Sequence, residues 1–236
     1  MADLTLITCT ADRPEAFHLC ERWMARQTYR GSIQWIVADG GETPVNCTRG
    51  QQHLVLGPEP DPLNNFRRNL TVALEHVESR LIAFIEDDDW YAPDWLEAVT
   101  GWLAKADIAG EIPARYYNVA SRRYHEHANG THASLCQTAI RSSLLWPLAN
   151  AVSSEPGPFI DRVLWDRVAS DSRRRLERSR RVVGLKGVRG RAGLGSGHAA
   201  HHFGKVDGAD FAVLKRWLGI DAIVSVCGQN RPVICG

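Results

Sequence analysis

Residues 82–93 read IAFIEDDDWYAP: four apolar residues run into Glu86, Asp87, Asp88 and Asp89, then into two aromatics and a proline. Adjacent carboxylates repel, and taking even one out of water is costly unless a positive group faces it. The stretch therefore predicts a cation at the turn. Mn2+ or Mg2+ suits it, because these ions take one or two carboxylates and share themselves with phosphate oxygens. A second metal-competent group is GLGSGHAAHH (193–202), where His198, His201 and His202 follow a run of glycines.

The elements that position these residues alternate. LTLITC (4–9), QWIVADGG (34–41), HLVLG (53–57) and RLIAFI (80–85) are short apolar runs of the kind buried in parallel sheets. Between them, EAFHLCERWMARQ (15–27), NNFRRNLTVALEHVES (64–79) and PDWLEAVTGWLAK (93–105) carry apolar residues at helical spacing, the last with proline in its first turn. This alternation predicts an α/β protein with a mostly parallel central sheet flanked by helices. Ligands of such sheets gather at the carboxyl ends of the strands. The polar endings TADR (10–13), ADGG (38–41) and EDDD (86–89) thus point at one crevice, with Thr10, Asp12 and Arg13 at its first strand. The second half is less regular. Strands are expected at 114–119, 121–127, 181–187 and 221–226, a strand leading into a short helix at 134–145, and helices at 158–171 and 209–219.

IEDDDWYAPDWL (85–96) resembles the LDxDDxxxPDxL segment of family 2 glycosyltransferases, and three further stretches fall in the family's order: TADRPE (10–15), IVADGGETP (36–44) and the helix from Arg67 into the acidic strand. The likeness covers residues 3 to 105, and Glu86 and Ala38 stand where the family has aspartates. It implies the GT-A fold (Rossmann-like) in one unit over 1–236, with a nucleotide-sugar-binding half (1–105) and an acceptor half (106–236). It further implies a nucleotide-sugar donor, a UDP-sugar favoured, and a divalent metal, Mn2+ or Mg2+. Carried over by residue, Asp39 would contact the donor nucleoside, and Arg68 and Asn69 would lie near the donor. Asp88 would ligate the metal, Glu86 would meet ribose or sugar, and Asp87 or Asp89 would support them. IDRVLWDRV (160–168) resembles the family's EDxDLWxRL segment, so Asp161 would be the general base of an inverting hexosyl or pentosyl transfer, with Asp166 as fallback; a carboxylate favoured by a helix N-terminus is the plainer reading. His198 would complete the metal shell, with His201 and His202 as rivals.

Composition bounds the partners. The chain has 236 residues, 44% hydrophobic and 23% charged, with net charge +1. Residues 173–191 hold nine basic residues against Glu177, a local +8 that leaves −7 elsewhere and can mark a polyanion-binding face. GLKGVRGRAGLGSGH (184–198) is similar to a segment of bacteriophage glycosyltransferases that modify hydroxylated DNA bases, which implies DNA as an acceptor. Saccharide or lipid-linked acceptors remain alternatives, as does a metal-dependent phosphoesterase or a nucleic-acid-binding module. A nucleotidyltransferase would need glycines after the first strand, and TCTADRPEAF has none. The six scattered cysteines include no C-x-x-C pair, and neither a signal peptide nor a membrane-length apolar run is read, so a cytoplasmic protein (host cytoplasm if phage-encoded) is expected.

Overall fold

A computed structural model describes residues 2–168, 173–188, 190, 193–194 and 204–219. The first half alternates: β1 (Leu4–Thr10), α1 (Pro14–Met24), β2 (Ile33–Asp39), β3 (Gln52–Val55), α2 (Pro62–Glu75), β4 (Leu81–Phe84), β5 (Asp89–Tyr91) and α3 (Trp95–Leu103). There follow β6 (Ile108–Ile112), β7 (Ala114–Asn118), β8 (Arg123–His127), β9 (Thr138–Arg141), α4 (Leu145–Ser154), α5 (Ile160–Arg167), β10 (Arg174–Arg178), β11 (Val182–Lys186), β12 (Lys205–Val206) and α6 (Ala212–Leu218).

A seven-stranded sheet runs β10-β6-β9-β4-β1-β2-β3, and a five-stranded sheet runs β12-β8-β7-β11-β5. Among the described residues of the larger sheet only β9 opposes its neighbours, so the predicted α/β architecture with a mostly parallel centre is what forms. Burial on both faces explains why the central strands are mainly apolar, with the buried Thr5 and Thr8 hydroxyls of β1 hydrogen-bonded. Leu6, Val37 and Ala83 pack on one side with Phe17 and Trp23 of α1 and with Trp95 and Val99 of α3. Ile7, Ile36, Ile82 and Phe84 pack on the other with Leu70 of α2, Leu148 of α4 and Leu164 and Trp165 of α5. The smaller sheet joins the first of these cores through Tyr117, Val183 and Leu185.

Several predicted boundaries move for local reasons. α2 begins before residue 64 because the Asp61 carboxylate accepts from the Asn64 backbone N–H at 2.8 Å and Pro62 fits the first turn. α3 begins at Trp95, which leaves Pro93 outside it. Part of the basic run forms a strand: Arg174–Arg178 is β10, at the edge of the larger sheet and parallel to β6. The expected strand at 221–226 lies outside the described residues.

Candidate active site

The acidic stretch is a turn between the two sheets. β4 ends at Phe84 in the large sheet, and β5 starts at Asp89 in the small one, paired antiparallel with β11 so that Asp89 lies opposite Gly184. That crossing brings in two cations from distant parts of the chain. Arg13, just past β1, places Nη1 2.8 Å from Asp87 Oδ1 and 3.0 Å from Asp88 Oδ2. Lys186, the last residue of β11, places Nζ 3.1 Å from Asp88 Oδ1, 2.9 Å from Asp89 Oδ1 and 3.7 Å from Glu86 Oε2. The Thr10 hydroxyl donates to Asp87 Oδ2 at 2.7 Å. Two positive charges are thus supplied to the four carboxylates of the turn from within the chain.

Burial sets the protonation tendencies. It pushes Asp87 up to about 6 against the pull of Arg13, and raises Glu86 and Asp89 as well. Burial opposes the charged form of Lys186, but Asp88, Asp89 and Glu86 together outweigh it and hold the ammonium well above its usual value. Glu86 keeps its side chain 39% exposed, so it is the carboxylate of the turn most open to a ligand.

Beside the turn lies a cavity of about 200 Å³, lined among others by Thr10, Arg13, Asn69, Glu86, Asp161 and Lys186. Asp161 reaches it from the first turn of α5, where its Oδ1 accepts from the Arg162 N–H at 2.8 Å. Burial pushes this carboxyl up to about 6, overriding the opposite tendency of those backbone hydrogen bonds. Asn69 reaches the cavity from α2. Its amide donates to Thr10 O at 3.1 Å and Ala38 O at 3.3 Å, tying together the ends of β1 and β2. Its Oδ1 is buried and accepts no hydrogen bond among the described residues. Gly190 sits at φ +120, and a Cβ there would lie 2.9 Å from Asp12 O and 3.1 Å from the Arg13 Cα. The start of the glycine-rich segment therefore closes directly over Arg13, and Gly193 and Leu194 line the cavity.

Other expected site residues are not among those that line the cavity. Asp39 is fully buried: its carboxylate accepts from Gly41 N at 2.9 Å and Val45 N at 2.7 Å, with His53 Nε2 at 3.3 Å. Asp12, at φ 54, accepts from Glu42 N and Thr43 N at 2.8 and 3.3 Å. Both aspartates shape the loop after β2. Asp39→Ala should cost about 2–3 kcal/mol by stranding two buried amides; a urea midpoint unchanged from wild type would show that the loop is held otherwise. Arg68 donates to Gly57 O at 2.5 Å, anchoring the chain after β3. Asp166 is exposed beside Arg162. His198, His201 and His202 lie outside the described residues, as do Arg189 and Arg191. The rest of the basic run is largely engaged: Arg173 pairs with Asp107, Arg174 donates to Thr131 O, Arg175 pairs with Glu177, and Arg181 pairs with Asp94.

Residues 61–157, under half the chain, match the family described as Glycosyl transferase family 2. No curated protein matches the sequence. Among solved structures, S. aureus TarS superposes with a TM-score of 0.55 at 12% identity, over 78% of this chain and 36% of TarS. S. aureus TarS 1–349 in complex with UDP gives 0.53 at 12% identity, over 78% and 60%. The mannosyltransferase PcManGT from Pyrobaculum calidifontis, in complex with GDP-Man and Mn2+, gives 0.52 at 13% identity, over 80% and 59%. The fold is GT-A. The chain spans 36% to 60% of the length of these GT-A structures.

GT-A folds imply a divalent ion at the acidic turn, and the donor atoms here can be tested against one. Asp88, the expected ligand, has Oδ1 on Lys186 and Oδ2 on Arg13. Among the described residues, the donor atoms that converge within 4.8 Å belong to Glu86, Asp89 and Cys136. Burial, with Asp89 and Glu86 nearby, holds the Cys136 thiol well above its usual range, so it stays protonated and suits Mg2+ or Mn2+ poorly. As arranged, these side chains do not fit an oxygen-ligated divalent ion on Asp88.

Proposed function

We propose that this chain transfers a sugar, a hexose for preference, from a nucleoside-diphosphate donor to an acceptor hydroxyl with inversion, Asp161 acting as the base. The observation that carries this reading is the shared cavity: a carboxyl of raised proton affinity and two cations meet where β1 and β4 end. The family 2 match and the nucleotide-bound GT-A structures support the donor class.

The chemistry follows from the side chains. The acceptor oxygen attacks the anomeric carbon, and its proton passes to Asp161 as the new bond forms. The bond from that carbon to the diphosphate breaks, and the electron pair stays on the departing oxygen. Cations fixed beforehand stabilise that charge without rearranging. Asn69 Oδ1 offers an acceptor to an N–H or O–H of the nucleotide. UDP-sugars and GDP-mannose are the first donors to test. Four arginines of the basic run, Arg173, Arg174, Arg175 and Arg181, already have partners within the chain, so DNA is favoured no more than any other hydroxyl compound as the acceptor.

The test is thermal stabilisation and donor hydrolysis across a panel of nucleotide sugars and nucleoside diphosphates. At about 100 times its dissociation constant, a true ligand adds about 2.7 kcal/mol, which raises Tm by roughly 5–10 °C in a chain of this size. No shift with any nucleotide at millimolar concentration would remove the reading.

A further inference from the structure

We propose that Lys186 is the resident cation of the acidic turn and, with Arg13, the group that meets the donor's diphosphate in the place a divalent ion would otherwise hold. The proposal rests on the donor class inferred above. It makes Asp88 the holder of a lysine, not a metal ligand.

Three observations carry it. First, the Lys186 ammonium has the surroundings of a bound ion: carboxylate oxygens of Asp89, Asp88 and Glu86 lie at 2.9, 3.1 and 3.7 Å. Second, both oxygens of Asp88 face cations: Lys186 donates to Oδ1 at 3.1 Å, and Arg13 Nη1 stands 3.0 Å from Oδ2 as an ion-pair contact without hydrogen-bond geometry. A metal entering here would first have to displace two buried ion pairs, one of them to a lysine only 3% exposed. Third, Lys186 and Arg13 both line the cavity while holding the turn. Hydrogen bonds to Asp88 and Asp89 use two of the three Lys186 N–H groups, and Glu86 at 3.7 Å lies beyond hydrogen-bond distance. One N–H is therefore available to a phosphate oxygen.

The backbone fixes this placement. β11 pairs with β5 and β7 on either side, and Gly184 admits Tyr116 so closely that a Cβ would come 2.5 Å from its ring. The ammonium is delivered by a central strand and needs no reorganisation when charge develops on the leaving group.

The experiment uses the whole 236-residue chain with two probes, Mn2+ followed by electron paramagnetic resonance and UDP or GDP followed by calorimetry. Wild type should bind Mn2+ only at millimolar concentration and should bind the nucleotide equally well, within about threefold, in EDTA and in Mn2+. Lys186→Met empties the cation position. It should tighten Mn2+ binding by roughly tenfold or more and make nucleotide binding depend on the metal. Micromolar Mn2+ binding by wild type, or loss of its nucleotide affinity in EDTA, overturns the proposal even if the variant does not fold. Nucleotide binding by neither form would remove the donor class, while the Mn2+ titration would still decide the role of the lysine.

Discussion

Asp161→Asn should yield a folded protein that is more stable than wild type at pH 8 and turns over roughly 10³-fold more slowly, the loss expected when a positioned general base is removed. The two effects share one cause. Burial pushes the Asp161 carboxyl up to about 6 from an ordinary aspartate value of 3.8. A carboxyl that binds its proton more tightly when folded adds stability at low pH and loses it as pH rises through about 6. Above that value the ionised group is a liability that asparagine removes. The cavity is open to solvent, which screens the charge, so the gain at pH 8 is about 1 kcal/mol. That gain should shrink as pH falls towards 5. Catalysis runs with the opposite sign, because the base must be unprotonated: wild-type turnover should be about tenfold lower at pH 5 than at pH 7. Donor-consumption assays and thermal melts at both pH values test this directly. Near-normal turnover by Asp161→Asn, or a flat profile between pH 5 and pH 7, would reassign the base.

The parts of this fold that could be read from the sequence are those in which one physical demand acts alone. β1, β2 and β4 are buried on both faces, so their apolar runs are unambiguous, and α1 and α2 show one apolar stripe each. The parts that could not be read mix demands. β6 reads IAGEI, with a glycine and an acid inside a strand buried at every position. β10 reads RRLER and looks solvated because it is an edge strand. β5 is three residues long, and its aromatics make sense only against β11. α4 carries Pro147, which its first turns tolerate but which reads as a break. The same holds at the site. The acidic turn and Asp161 could be found by motif, whereas the pairing of Asp88 and Asp89 with a lysine 98 and 97 residues away follows only from the crossing between sheets. One signal was present: VVGLKG is an apolar run that ends in a charge, as the other strand endings of the crevice do.

Glu111→Ala should be strongly destabilising, at about 3–5 kcal/mol, because it removes the acceptor from several buried donors at once. Glu111 is fully buried in β6, at the seam where the chain leaves β10 for the second sheet. Its carboxylate accepts from the Arg181 N–H at 2.7 Å, the Val182 N–H at 3.0 Å and Gln137 Nε2 at 3.3 Å, and also from the Ser179 hydroxyl. Arg115, 3.9 Å away, donates in turn to Val182 O at 3.0 Å. These contacts set where β11 begins, and four residues later β11 delivers Lys186 to the acidic turn. Glu111→Gln keeps the shape but offers one good acceptor oxygen in place of two, so it should cost about 1–3 kcal/mol. Urea unfolding followed by tryptophan fluorescence measures both. The glutamine variant should also weaken nucleoside-diphosphate binding while remaining folded, because a loosened start of β11 loosens the ammonium at its end. A stability loss without any change in nucleotide affinity would show that pairing with β5 and β7 alone is enough to hold Lys186 in place.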